Sequence, residues 1–197
     1  MAKAPPLVWC LLVVAVLGVS SAGAILSYLD EIPPIMRASW RLQITVIMLA
    51  PLAIYQYRQM DEISKNKLIE KRTLYIILGS GAALCAHFGA WTTSLDHTSI
   101  AHSLLFVTSH PIIIVAGTAI LIRRPHILET SGALVGLTGA AITLLDAKNS
   151  GEVTLFGDLL AFAGAVTVVG YIVAGRILRK WIPVFVYALP VTLIGAL

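Results

Sequence analysis

The chain has 197 residues, of which 58% are hydrophobic and 12% charged, whereas a soluble domain is roughly half apolar and a quarter charged. With a mean hydropathy of +0.88 and apolar residues in long charge-free runs, the composition excludes a soluble enzyme, a nucleic-acid-binding domain and a disordered tail. The net charge of +4, from 14 Lys and Arg against 10 Asp and Glu, reads as membrane topology instead of a nucleic-acid footprint.

A spanning helix needs about 20 apolar residues and connections are short, so the length allows roughly six or seven spans. The first runs from Leu7 to Leu29. Lys3 and the Ala22-Gly23-Ala24 triplet give it the outline of a cleavable signal, but the run exceeds the ~7 to 15 residues of a signal core. The second, Pro34 to Tyr57, carries Arg37 and Arg41 in its first half; Thr73 to Leu95 and Thr98 to Ile122 are the third and fourth. Ile127 to Leu145 and Leu155 to Gly175 follow, and a seventh segment begins at Ile182 and has only 16 residues to Leu197, short for a span. Cys10 and Cys85 lie inside apolar runs and read as packing residues, with no disulfide framework.

Sorted by alternate loops, Lys3, Arg58, Lys65, Lys67, Lys71, Arg72, Arg123, Arg124, Arg176, Arg179 and Lys180 fall on one side, 11 of the 14 cations, and Lys148 alone on the other. By the positive-inside rule the N-terminus is cytoplasmic. Asp30, Glu31, Asp96, Asp146 and Glu152 fall on the opposite side, where acids carry little weight. The link from Arg58 to Arg72 reads either as an amphipathic stretch suited to anionic headgroups or as a solvated connector.

Arg37 and Arg41 share one face of the second helix, with Arg41 roughly 10 Å below its outer end. A buried cation costs about 2.5 to 3.5 kcal/mol on insertion scales, so it faces a partner, a polar cavity or water. The pair reads as a recogniser of a substrate carboxylate or phosphate, or as residues that snorkel to headgroups or lock the bundle through an acidic loop residue. His87 and Trp91 share a face of the third helix. His102, Phe106 and His110 repeat that spacing on the fourth, where Pro111 leaves a carbonyl near Phe106 and Val107 unsatisfied. These side chains read as cavity lining around a kinked midplane backbone, or as interhelical glue. His102 and His110 are ~12 Å apart along one helix, too far to share an ion, so no metal and no cofactor is expected.

Gly132, Gly136 and Gly139 give the fifth helix a smooth face for close approach by another helix, in this chain or a second copy. Asp158, opening the sixth helix, is a proton-coupling candidate or a solvated acid at a helix N-terminus. No phosphate loop, carboxylate pair or nucleophile triad is present, so the chain does not read as an enzyme.

Leu155 to Leu197 repeats the layout of Leu7 to Met48, with Ile182-Pro183 matching Ile32-Pro33. Five helices per unit, an odd number, would insert the second unit inverted. The expected fold is an all-α integral membrane bundle with an inverted five-helix repeat whose second copy is incomplete: residues 1–147, then residues 148–197 with one full helix and a partial one.

The stretches AHFGAWTTSL at 86–95, HTSIAHSLLFVTSHP at 97–111, SGALVGLTG at 131–139 and GDLLA at 157–161, with the proline-led second helix, resemble EamA-type transporters of the drug/metabolite transporter superfamily. Tyr171 resembles a position in the opening of that family's second repeat. The resemblance implies ten helices in two inverted repeats that move small metabolites by alternating access, with the lipid bilayer and a small-molecule substrate as partners. Arg41, His110, His87, Trp91, Arg37 and Tyr171 are the candidate substrate-binding residues, and anionic or zwitterionic organic compounds the expected substrates. The alternative is a non-transporting chain that assembles with itself or with a longer relative.

Overall fold

The computed structural model describes residues 6–121, 125–147 and 154–197; Lys3, Arg123, Arg124, Lys148 and Glu152 of the charge pattern lie outside them. Among the described residues there are helices and no strands: α1 (Pro6–Ser27), α2 (Pro34–Arg58), α3 (Glu62–Leu68), α4 (Lys71–Ser94), α5 (Ile100–Val107), α6 (His110–Leu121), α7 (Ile127–Ala147), α8 (Leu155–Leu178) and α9 (Val184–Gly195). Val8–Ser27, Pro34–Arg58, Lys71–Ser94, Ile100–Ile120 and Leu155–Leu178 are long and apolar enough to cross a membrane.

Local chemistry sets the boundaries. Pro33 and Pro183 sit at the N-caps of α2 and α9, where a fixed φ and a missing N–H cost nothing. Ser99 caps α5 by accepting from the His102 N–H at 3.3 Å, and Thr154 caps α8 through the Gly157 N–H at 3.1 Å. The connector after α2 contains the short helix α3, capped by Asp61. The Ser64 hydroxyl and N–H, at 3.1 and 2.6 Å, hold that carboxyl below the usual carboxylate range.

The fourth span, expected as one helix kinked near Pro111, is divided at Thr108 and Ser109 into α5 and α6. Pro111 offers no N–H to the Val107 carbonyl. Nδ1 of His110 lies 3.3 Å from that carbonyl oxygen, and the Ser109 and Thr108 hydroxyls add second donors, each at 2.6 Å, to the Phe106 and Leu104 carbonyls that already accept the Ser109 and Thr108 N–H groups.

Helix α4 runs against α2, α8 and α9. A Cβ added at Gly81 would lie 2.5 Å from Cβ of Ile194, so glycine sets the α4–α9 spacing. One apolar cluster joins Leu42, Ile77, Leu84, Leu178, Tyr187 and Val191, and a second joins Ala22, Leu26, Trp91, Leu95 and Val107. Buried hydroxyls turn back onto their own helix, as Thr92 does to the Phe88 carbonyl at 2.7 Å and Ser94 to that of Trp91 at 2.6 Å, which satisfies them without water. The outer surface is apolar, with Val14, Ile47, Met48 and Tyr75 exposed, as a lipid-facing bundle requires.

The two ends of the bundle differ. At one, the Lys67 ammonium lies 4.7 Å over the Trp181 ring and the Phe185 N–H donates to Gln56 Oε1 at 2.9 Å. This joins the connectors after α2 and α8 and gathers Arg58, Lys65, Lys71, Arg176, Arg179 and Lys180 there. The opposite end carries Asp30, Glu31, Asp96 and Asp158.

Candidate functional site

Arg37 and Arg41 stand one turn apart on α2 and have different surroundings. Arg37 is 1% exposed. Its Nη1 donates to the Leu26 carbonyl at 2.8 Å and its Nη2 to both carboxylate oxygens of Asp96, which ties α2 to α1 and to the turn after α4. The snorkelling alternative is overturned for this residue, because the turn after α4 brings a carboxylate to it. Only its Nε lacks a partner.

Arg41 has no such carboxylate. Its guanidinium lies 4.9 Å from the Phe88 ring centre and 5.3 Å from that of Trp91, and its Nη1 is buried without a hydrogen-bond partner. Trp91 is 5% exposed and its Nε1 is likewise unpartnered. His87 stacks on the Trp91 ring, centres 6.4 Å apart and planes 17° apart. Nδ1 of His87 lies 2.9 Å from the Gly164 carbonyl; a carbonyl only accepts, so Nδ1 carries the hydrogen and Nε2 of the neutral ring is an acceptor. Three of the expected residues, Arg41, Trp91 and His87, thus come together on α2 and α4.

Arg37 and Arg41 line a cleft of about 370 Å³ between α1 and α2, with Ala22, Leu26, Trp40 and Thr45 around them. Buried donors without acceptors are costly in a low-dielectric interior. The unmatched groups here are N–H donors, which acceptor atoms would complement.

The other expected residues lie elsewhere. His110 faces the break after α5, with Nδ1 on the Val107 carbonyl. Tyr171 stacks on Tyr187, centres 6.2 Å apart, beside a cavity of about 240 Å³ at the basic end that Arg176 and Arg179 also line. Within this chain no other helix approaches α7 closely at Gly132 or Gly136, where an added Cβ would meet nothing within 4 Å. These glycines line a cavity of about 440 Å³ shared with Thr108, Ser109 and Pro111.

A buried polar latch at the acidic end was not legible from spacing. Nδ1 of His102 lies 3.2 and 3.1 Å from the two carboxylate oxygens of Asp158, and the Thr98 hydroxyl donates to Oδ1 at 2.8 Å. The Thr154 hydroxyl also reaches the His97 carbonyl. Asp158 is therefore a tie between α8 and α5 and not a solvated helix-end acid. Its partners Thr98 and His102 are 60 and 56 residues away in sequence, so helical periodicity carries no sign of them.

The sequence profile of the EamA-like transporter family matches residues 6–145. The chain belongs to the EamA-like transporter family. As an EamA-like protein it is an integral, multi-pass membrane protein of a family that transports small molecules across the bilayer and is not a family of enzymes. No curated protein and no solved structure matches the chain. The family match spans α1 to α6 and nearly all of α7, and so includes Arg37, Arg41, His87, Trp91 and His110.

Proposed function

We propose that this EamA-like chain carries small organic anions or zwitterions by alternating access, with Arg41 as the residue that recognises the substrate's negative group. The observation that carries the reading is the buried, unpartnered Nη1 of Arg41, beside Phe88 and Trp91 at the edge of a cleft. A guanidinium already stacked on aromatic faces is held in one orientation, so little side-chain freedom is lost when an anion binds. Arg37, held by Asp96 and Leu26, acts as the fixed wall that positions Arg41 one turn below.

The broken span supports the alternating part of the proposal. A helix divided near its middle, with the His110 imidazole beside the Val107 carbonyl that Pro111 leaves without an N–H, can bend without baring that carbonyl to lipid. The recurrence of a long helix, a Pro-capped turn and a second helix in α1–α2 and α8–α9 supports reading residues 1–147 as a first unit and 148–197 as the start of a second, inverted one. The gathering of Arg and Lys at one end supports a cytoplasmic N-terminus.

The test is uptake by the purified protein in liposomes, with a panel of radiolabelled amino acids, carboxylic acids and organic cations. Uptake confined to compounds with a carboxylate or phosphate, and competed by unlabelled anions, is the expected result. Uptake of cations alone would contradict it.

A further inference from the structure

We propose that the Arg41 cleft takes a single-chain amphipathic anion, an acidic headgroup on one hydrocarbon chain, that enters sideways from the bilayer. The inference rests on the reading of Arg41 as the anion-recognising residue and narrows the substrate class.

The walls of the cleft carry the argument. Its polar groups are Arg37, Arg41 and the Thr45 hydroxyl, and that hydroxyl already donates to the Arg41 carbonyl at 2.8 Å. The remaining lining is apolar, and the apolar residues differ in depth. Ala22 and Leu26 are buried at the floor, whereas Ile25 is 58% exposed, Trp40 45% and Ile44 59%. In a membrane-spanning bundle, exposed apolar residues on two adjacent spans face hydrocarbon, so this rim opens onto lipid. Arg37 and Arg41 stand one turn apart on this wall, and of the two only Arg41 lacks a carboxylate partner and keeps a buried Nη1 without an acceptor.

A hydrophilic anion matches the donors and not the rim, and would have to cross apolar surface to reach them. A neutral lipid matches the rim and leaves the Arg41 guanidinium without an acceptor. An amphipathic anion satisfies both, with its head on the Arg41 guanidinium and its chain along Ile25, Trp40 and Ile44. At about 370 Å³ the cleft lies near the lower limit of small-molecule sites, which favours one chain over the two of a phospholipid.

The test uses the whole purified chain in nanodiscs, a palmitic acid analogue with a diazirine at its chain end, and mass-spectrometric mapping of the crosslinks. The expected crosslinks fall on residues 18–29 and 40–45. An excess of palmitate or hexadecyl phosphate competes, while butyrate and hexadecyltrimethylammonium do not. Arg41→Gln lowers labelling by about tenfold or more, and Ile25→Trp, which narrows the rim while leaving both arginines in the chain, does the same.

Labelling spread over the lipid-facing helices, or unchanged in Arg41→Gln, would overturn the inference. Equal competition by butyrate would also overturn it, while leaving Arg41 as the site for a water-soluble anion. Failure of this inference is thus distinguishable from failure of the carrier reading.

Discussion

The guanidinium of Arg41 lies 5.3 Å from the centre of the Trp91 ring, and neither Nη1 of the one nor Nε1 of the other has a hydrogen-bond partner. One turn away Arg37 is closed off by Asp96 and the Leu26 carbonyl. Two arginines on one helix face therefore differ: one ties α2 to α1 and to the turn after α4, and the other keeps a buried donor without an acceptor.

Trp91→Leu removes the aromatic face but keeps an apolar side chain. A cation–π contact contributes about 0.5 to 2 kcal/mol, so half-saturation for an anionic substrate is expected to rise roughly 2- to 30-fold. Trp91→Phe retains a ring and shows a smaller rise. Uptake kinetics in liposomes measure both.

Asp96→Asn leaves the Arg37 charge buried without its counter-ion. Breaking such a pair costs about 3 to 5 kcal/mol, and replacing both partners costs much less. The thermal midpoint in detergent is expected to fall clearly for Asp96→Asn and to recover in Arg37→Gln/Asp96→Asn. No loss in the single variant would show that the pair is not the tie described.

Gly157 and Gly136 make a matched comparison. A Cβ on Gly157 would lie 2.6 Å from the His97 carbonyl carbon, whereas one on Gly136 meets nothing within 4 Å. Gly157→Ala must push backbone aside, at a cost of about 1 to 3 kcal/mol. Gly136→Ala is expected to stabilise by about 0.4 to 1 kcal/mol through the unfolded chain. Unfolding midpoints of the two variants should move in opposite directions.

Pro111→Ala returns an N–H to the Val107 carbonyl and frees His110. The helix is expected to run through Thr108 and Ser109, with slower hydrogen exchange there, a higher thermal midpoint and slower transport. Unchanged exchange would mean that Pro111 does not cause the break.

Most of the span pattern was legible, because charge-free runs and the Pro33 and Pro183 starts follow from one-dimensional rules. The break at Thr108 was signalled only by Pro111, since an apolar window looks the same whether its helix is continuous or divided. Spacing placed Arg37 and Arg41 on one face and His87 with Trp91 on another. It could not show that Arg41 would meet Trp91 across helices, or that Asp96 would claim Arg37. The His102–Asp158 tie was hidden for the same reason, because each partner's spacing reports only its own helix. The glycines of α7 illustrate the converse: a small-residue face permits close approach, but only a neighbouring helix supplies it.

The most direct test of the account is counterflow of a labelled organic anion into liposomes holding wild-type protein, Arg41→Lys or Arg41→Gln, with equal insertion confirmed for each. The account predicts strong counterflow for wild type, a partial loss for Arg41→Lys, which keeps the charge without the planar donor fork, and no flux above empty liposomes for Arg41→Gln. Counterflow by Arg41→Gln equal to that of wild type would contradict it.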